Sequence, residues 1–216
     1  MKMPARHRPG RPRDPDLAQR RRAEILTVAG RLFAERGLAA TDLDRVAREL
    51  GVGKGTIYRY FHSKEQLFLA AVDRGMTALS DQIHRDSDGA GDPLERVALA
   101  VRAYLSFFDA NPWIVELLMQ ERAQFKDRQQ PTYFAYRDAN VGRWREVFRS
   151  LIRAGRVRAM PVSRITDVMS DLLYGTIFAN HFAGRRKSYE AQARDILDVL
   201  FHGFLTTERP PRERAR

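Results

Sequence analysis

The sequence contains no cysteine, which excludes a disulfide framework, a thiol nucleophile, an iron–sulfur cluster and every cysteine-based zinc site. No apolar run approaches the roughly 18 residues that a membrane span requires. The opening stretch MKMPARHRPGRPRDPDLAQRRR is basic, but no apolar segment follows it, so it does not read as a secretory signal. Strand patterns are also missing, since no stretch alternates Val, Ile, Thr or aromatic residues with polar ones over a useful length. The histidines His7, His62, His84, His181 and His202 include no pair at H-E-x-x-H spacing. No Gly-x-Ser-x-Gly elbow or Ser/His/Asp set is recognisable. The expectation is a soluble, cytoplasmic protein with no membrane partner, no metal, no cofactor and no enzymatic activity.

What is present is a globular chain of 216 residues with 44% apolar content and a formal charge of +11. The charge is unevenly placed. Residues 1–67 hold 15 basic and 8 acidic residues, whereas residues 68–207 hold 19 and 17. A polyanionic partner would therefore dock on the first third.

The hydrophobic periodicity is helical nearly throughout, so the fold class is all-α with about nine helices. Prolines 4, 9, 12 and 15 keep residues 1–14 from forming a helix, which leaves a flexible basic arm. A first helix is expected over Asp16–Arg36, ended by Gly37. A second follows a Thr41-x-x-Asp44 capping box and ends at Gly51, and a very short third spans Lys54 to Tyr60. Ser63 and Gln66 form another capping box and open a fourth helix, Lys64 to His84. Asp92-Pro93 and Asn111-Pro112 open the fifth and sixth, Pro131 a long seventh, Ser163 an eighth and Ser188 a ninth. The expected domains are 15–62, a helix-turn-helix unit, and 63–209, a helical domain whose residues 63–85 form a linking helix. Residues 210–216 are expected to be a disordered tail.

Thr41–Tyr60 reads as helix, three-residue turn (Gly51-Val52-Gly53) and helix. Ala47 suits a close helix crossing, and Gly51 can take a positive φ. In the last helix only Ile57 and the following Phe61 look inward. Lys54, Gly55, Thr56, Tyr58, Arg59 and Tyr60 face outward, a set suited to phosphates and base edges. The turn superficially suggests a phosphate-binding P-loop, but Gly55 separates Lys54 from Thr56 and a helix precedes it where a strand is required.

On these residues the chain resembles the tetracycline-repressor (TetR) family of bacterial transcriptional regulators. The matches run over Leu32–Val72: Phe33, Gly37, Thr41, Val46-Ala47, Gly51-Val52, Gly55-Thr56-Ile57-Tyr58, Tyr60-Phe61, and Lys64-Glu65 followed by Leu67. The resemblance implies that the second helix of the motif lies in the major groove. Lys54, Thr56 and Arg59 then become base or near-base contacts, and Tyr58 and Tyr60 phosphate clamps. It further implies that Thr41 donates to a phosphate while capping its helix, and that Lys64 binds a phosphate. Two positions depart from the family pattern. Gly53 stands where serine is usual, weakening the cap of the reading helix. Asp42 stands where a small hydroxyl residue is usual, and its carboxylate would repel a phosphate. In the arm, Arg8-Pro9-Gly10-Arg11-Pro12-Arg13 resembles the Gly-Arg-Pro core of AT-hook segments, which makes Arg11 and Arg13 minor-groove candidates.

The second domain is rich in aromatic residues. Most fill the core, but an aromatic-lined cavity between helices is a usual place for a small apolar ligand. The candidates are Phe108, Trp113, Leu117, Phe134, Trp144, Phe148, Tyr174, Phe178 and His181, with Glu116, Glu121, Asp171 and Asn180 to orient a ligand. Gly175, Ala179 and Ala183 form a shallow seam. The last helix carries Ile196, Leu200 and Phe204 on an apolar arc too wide for one contact. The resemblance implies that two copies bury these surfaces in a four-helix bundle. The resulting expectation is a homodimeric repressor bound to a palindromic double-stranded DNA operator and released by a small-molecule effector of unknown identity. The rival readings are a low-specificity DNA-coating protein and an enzyme using the helical-domain pocket.

Overall fold

The structure, a computed structural model, describes residues 15–184 and 187–203. Arg11, Arg13 and Phe204 lie outside the described residues. Those described form α1 (Pro15–Ala40), α2 (Leu43–Glu49), α3 (Lys54–Tyr60), α4 (Lys64–Ser87), α5 (Pro93–Ala110), α6 (Pro112–Gln124), α7 (Thr132–Arg153), α8 (Val162–Ala183) and α9 (Tyr189–His202), with no strand among them. None of these helices is long and apolar enough to cross a membrane. The chain divides into two compact units, Met1–Arg74 and Gly75–Arg216, and the division falls inside α4.

In the first unit, Ile25, Leu26, Ala29 and Phe33 of α1 are buried with Val46 and Ala47 of α2, Ile57 of α3, and Leu67, Phe68, Ala71 and Val72 of α4. Phe33 meets Phe68 edge-on at 5.3 Å. Each of the larger side chains among them contributes roughly 1.5–3 kcal/mol by leaving water. The first half of α4 thus supplies core to the first unit.

Several helix ends follow the local signals. Asp92 accepts a hydrogen bond from the Leu94 amide at 3.0 Å, and Ser188 from the Ala191 amide at 3.3 Å. Ser63 accepts from the Gln66 amide at 3.1 Å while the Gln66 side chain accepts from the His62 amide at 2.7 Å. Gly37 departs from helical geometry at φ 84 and Gly51 takes φ 63. A β-carbon would strain the backbone at both places.

Three caps differ from expectation. Asp42 caps α2 by accepting from the Asp44 amide at 2.9 Å, while the Thr41 hydroxyl donates instead to the carbonyls of Gly37 (2.7 Å) and Leu32 (3.2 Å). Thr41 is folded inward, and its backbone amide also donates to the Gly37 carbonyl at 3.2 Å. The side chain of Asn111 closes the end of α5 by donating to the Phe107 carbonyl at 2.9 Å, so it does not cap α6. Pro161 takes the N-cap position of α8 in place of Ser163.

The second unit builds one of its clusters on Val97, Val147, Phe148 and Leu151, flanked by Leu94, Trp144, Val157, Val162, Ile165 and Met169. Gly75 admits close packing, since a β-carbon there would stand 3.3 Å from the Ile114 side chain.

Candidate DNA-reading surface and effector cavity

The short helix α3 owes its placement to two anchors, Ile57 at 0% and Phe61 at 2% exposure. With these inside, Lys54, Gly55, Tyr58 and Arg59 are exposed and Thr56 and Tyr60 half-exposed. Its N-cap Gly53 makes no side-chain cap bond, so the helix is held by its anchors and by the turn, where the Val52 amide donates to the Ala47 carbonyl at 3.0 Å.

The cations of this surface have defined partners. Lys54 Nζ lies 2.9 Å from Asp44 Oδ2 and 3.9 Å from Asp42 Oδ1. The hydrogen bond to Asp44 holds the Lys54 ammonium above the ordinary lysine range. The Arg59 guanidinium sits 5.4 Å from the centre of the Tyr60 ring. Lys64 Nζ donates to the carbonyls of Ala39 (3.0 Å) and Thr41 (3.3 Å), tying the start of α4 to the end of α1. Thr41, at 2% exposure, is part of the interior. Its expected role as a cap that offers a hydroxyl to phosphate is corrected, because that hydroxyl is committed to two carbonyls. The Lys54–Asp44 pairing was not anticipated: residues ten apart on different helices carry no periodic signal.

In the second unit, a cavity of about 160 Å³ lies between α4, α5, α7 and α8. Met76, Leu79, Ile83, Val101, Trp144 and Phe148 give it an apolar wall. Tyr104 and Tyr133 also line it, their hydroxyls 2.9 Å apart. Burial raises both phenols, Tyr133 to about 12 and Tyr104 well above its ordinary value. Arg137, Asn140 and Tyr136 add polar groups. The Tyr136 hydroxyl is 2.6 Å from Thr77, and Asn140 accepts from Ser80 at 3.3 Å.

Of the sequence candidates, Trp144 and Phe148 line this cavity, while Phe108, Trp113, Leu117, Phe134, Tyr174, Phe178 and His181 do not. Packing explains the correction. Leu117 is wholly buried, and Phe108 packs edge-on against Phe107 at 5.4 Å. Phe134, Tyr174 and Phe178 stack in series at 5.3 and 4.6 Å, with Arg137 over Phe134 at 4.9 Å. Tyr174 and Phe178, four apart on α8, pack on each other, and Phe134 of α7 packs on Tyr174. Trp113 is half-buried, and His181 Nε2 lies 3.4 Å from Glu116 Oε2. Glu121 is committed to α7, and Asn180 forms a reciprocal amide pair with Gln192 at 2.7 Å. Asp171 is exposed, 4.0 Å from Arg137. Among the described residues no cluster of His, Cys, Asp or Glu could hold a metal ion.

Along α8, Val168 (55% exposed), Leu172 (38%), Gly175, Ala179 and Phe182 (72%) recur at alternating steps of four and three. Ala183 is exposed too. On α9, Val199 and Phe201 are exposed and Ile196 and Leu200 half-buried. An apolar face of this extent is unusual on a monomer.

A buried three-helix core that projects a short polar helix defines a helix-turn-helix protein. Residues 25–71 match the family described as bacterial regulatory proteins, tetR family. The match covers the helix-turn-helix portion of the chain. It is 35% identical over 97 residues to the HTH-type transcriptional regulator HbdR of Aromatoleum sp. (strain CIB), a match covering 45% of this chain and 42% of that protein. The chain therefore spans less than half the length of this curated relative. Among the solved structures that share its fold are two FadR proteins. The fatty acid degradation regulator FadR from Bacillus halodurans aligns with TM-score 0.73 and 17% identity, covering 85% of this chain and 95% of that one. FadR from Bacillus subtilis in complex with stearoyl-CoA aligns with TM-score 0.70 and 17% identity, covering 85% and 99%.

Proposed function

We propose that this protein is a homodimeric transcriptional repressor that reads a palindromic DNA operator through α3 and is released by a small apolar or aromatic effector bound in the cavity. The observation that carries the proposal is the exposure of the Lys54, Tyr58 and Arg59 face above the fully buried Ile57. Phosphate contacts supply most of the affinity and base contacts the choice of sequence. The dimer would form on the exposed faces of α8 and α9. Binding sites selected from random duplex DNA should form a palindrome with half-sites about one helical turn apart, or a multiple of it. Recovery of no motif at all, with equal affinity for any duplex, would replace the repressor by a DNA-coating protein.

Within this reading Tyr58 clamps phosphate and Arg59 reads a base. Tyr58→Phe should weaken binding to every sequence by about 1 kcal/mol, one neutral hydrogen bond. Arg59→Ala should cost about 1–3 kcal/mol on the selected site and relax the motif at one position. An unchanged motif for Arg59→Ala in repeat selections refutes that assignment.

Apolar cavities of about 150 Å³ hold a benzene-sized ligand, so the space here, about 160 Å³, suits one aromatic ring or a short acyl group. The stearoyl-CoA bound by the Bacillus subtilis protein supports an acyl group as one form of that ligand. The continuous helix α4 contributes Leu67 and Phe68 to the reading unit and Met76, Leu79 and Ile83 to the cavity wall. A ligand that favours one arrangement of α4 would shift operator affinity by population. Ala100→Leu fills part of the cavity and should lower affinity for phenylacetate and octanoyl-CoA at least tenfold in calorimetric titration, leaving DNA binding in their absence intact. Undiminished ligand binding by Ala100→Leu would place the effector elsewhere.

A further inference from the structure

We propose that Asp44 is a specificity-determining residue: it holds the Lys54 ammonium away from indiscriminate phosphate contact, and the Lys54–Asp44 pair as a unit selects a G·C base pair. The proposal rests on the reading that α3 faces DNA. Lys54 is the first residue of α3, and its Nζ lies 2.9 Å from Asp44 and 3.9 Å from Asp42. All three side chains are solvent-exposed, at 43%, 50% and 62% for Lys54, Asp44 and Asp42. The pair is anchored on one side, because Asp42 Oδ1 also accepts the Asp44 amide in capping α2.

The local consequence is an excess of negative charge at the start of α3. Two carboxylates outweigh the one ammonium beside them. Lys64 is turned onto the carbonyls of Ala39 and Thr41, and Arg59 rests over Tyr60. A random stretch of phosphate backbone therefore meets a compensated lysine and a carboxylate that repels it. Exposed ion pairs are weak, so the pair can open when the DNA offers each member a better partner. In the major groove, guanine offers O6 and N7 as acceptors for a lysine, and cytosine offers an N4 amino group that a carboxylate can accept from. A G·C pair supplies both together. An A·T pair also presents an amino group and acceptors, but its preferred partners are amide side chains, Asn or Gln, rather than a lysine and a carboxylate.

The test compares the full-length protein with Asp44→Asn, Lys54→Met and the double variant. Each is titrated over a range of salt on a duplex selected by the wild-type protein and on a random-sequence duplex of equal length. Asp44→Asn should bind the random duplex several-fold tighter and show a salt slope steeper by about one. Its selected-to-random affinity ratio should fall about tenfold, and reselection should return a motif relaxed at one G·C position per half-site. In the Lys54→Met background the same aspartate change should no longer alter the motif. Asp44→Ala serves as a second variant, and thermal melts establish that each is folded. An unchanged ratio and motif in Asp44→Asn overturns the proposal, as does an effect of full size in the absence of Lys54. If the wild-type protein binds neither duplex with a salt-dependent affinity, it is the DNA reading itself that fails.

Discussion

Glu121→Leu is expected to destabilise the second unit by about 3 kcal/mol, through loss of hydrogen bonds to buried donors. Glu121 is 1% exposed, and its carboxylate stands at the start of α7. There it accepts the Thr132 amide at 3.0 Å and the Thr132 hydroxyl at 2.7 Å, with the Arg128 guanidinium at 2.6 Å. A carboxylate at a helix N-terminus also meets the positive end of the helix dipole. Leucine would fill the volume but leave both Thr132 donors without partners in a place that is 5% exposed. Each orphaned donor costs about 1–3 kcal/mol. Arg128, whose side chain is 38% exposed, can turn to water and adds little. Glu121→Gln retains a carbonyl acceptor and should recover much of the loss. Thermal and urea unfolding of the three proteins would measure this. A loss below about 1 kcal/mol for Glu121→Leu would mean that water replaces the carboxylate, at odds with a dry cap.

The second large effect concerns assembly. The double variant Leu172→Glu, Phe182→Glu is expected to be a monomer and to lose operator affinity by a factor of about 100 or more. Linking two reading heads raises avidity by roughly 10²–10⁴ over a single head. Both residues lie on the exposed stripe of α8, so neither change disturbs the interior of the monomer, and two glutamates per subunit would put like charges on the proposed interface. Light scattering reports the mass, and titration of the selected duplex reports the affinity. A variant that kept the mass of a dimer would place the interface on another surface.

The reading helix was legible in the sequence because its signals are local. Gly51 marks the turn, Ile57 and Phe61 repeat at helical spacing, and the residues between them have no apolar role. Asp92-Pro93 and Ser188 announce their helices in the same way, by a side chain that reaches its own next turn. Thr41 misled because its neighbour Asp42 is an equally good cap, and only the fold packs the threonine inward against the end of α1. The aromatic candidates misled for a related reason. Phe134, Tyr174 and Phe178 look like pocket walls in composition, but their rings pack on one another, away from the cavity.

The sequence by itself determined an all-helical chain, the ends of most helices and the short helix that faces outward, because hydrophobic periodicity and capping act over a few residues. Tertiary structure alone decided that Asp44 would meet Lys54, that Glu121 would seat α7, and that Tyr104 and Tyr133 would line the cavity. Such contacts join residues far apart along the chain, and their energies depend on distance and burial, which no local pattern encodes.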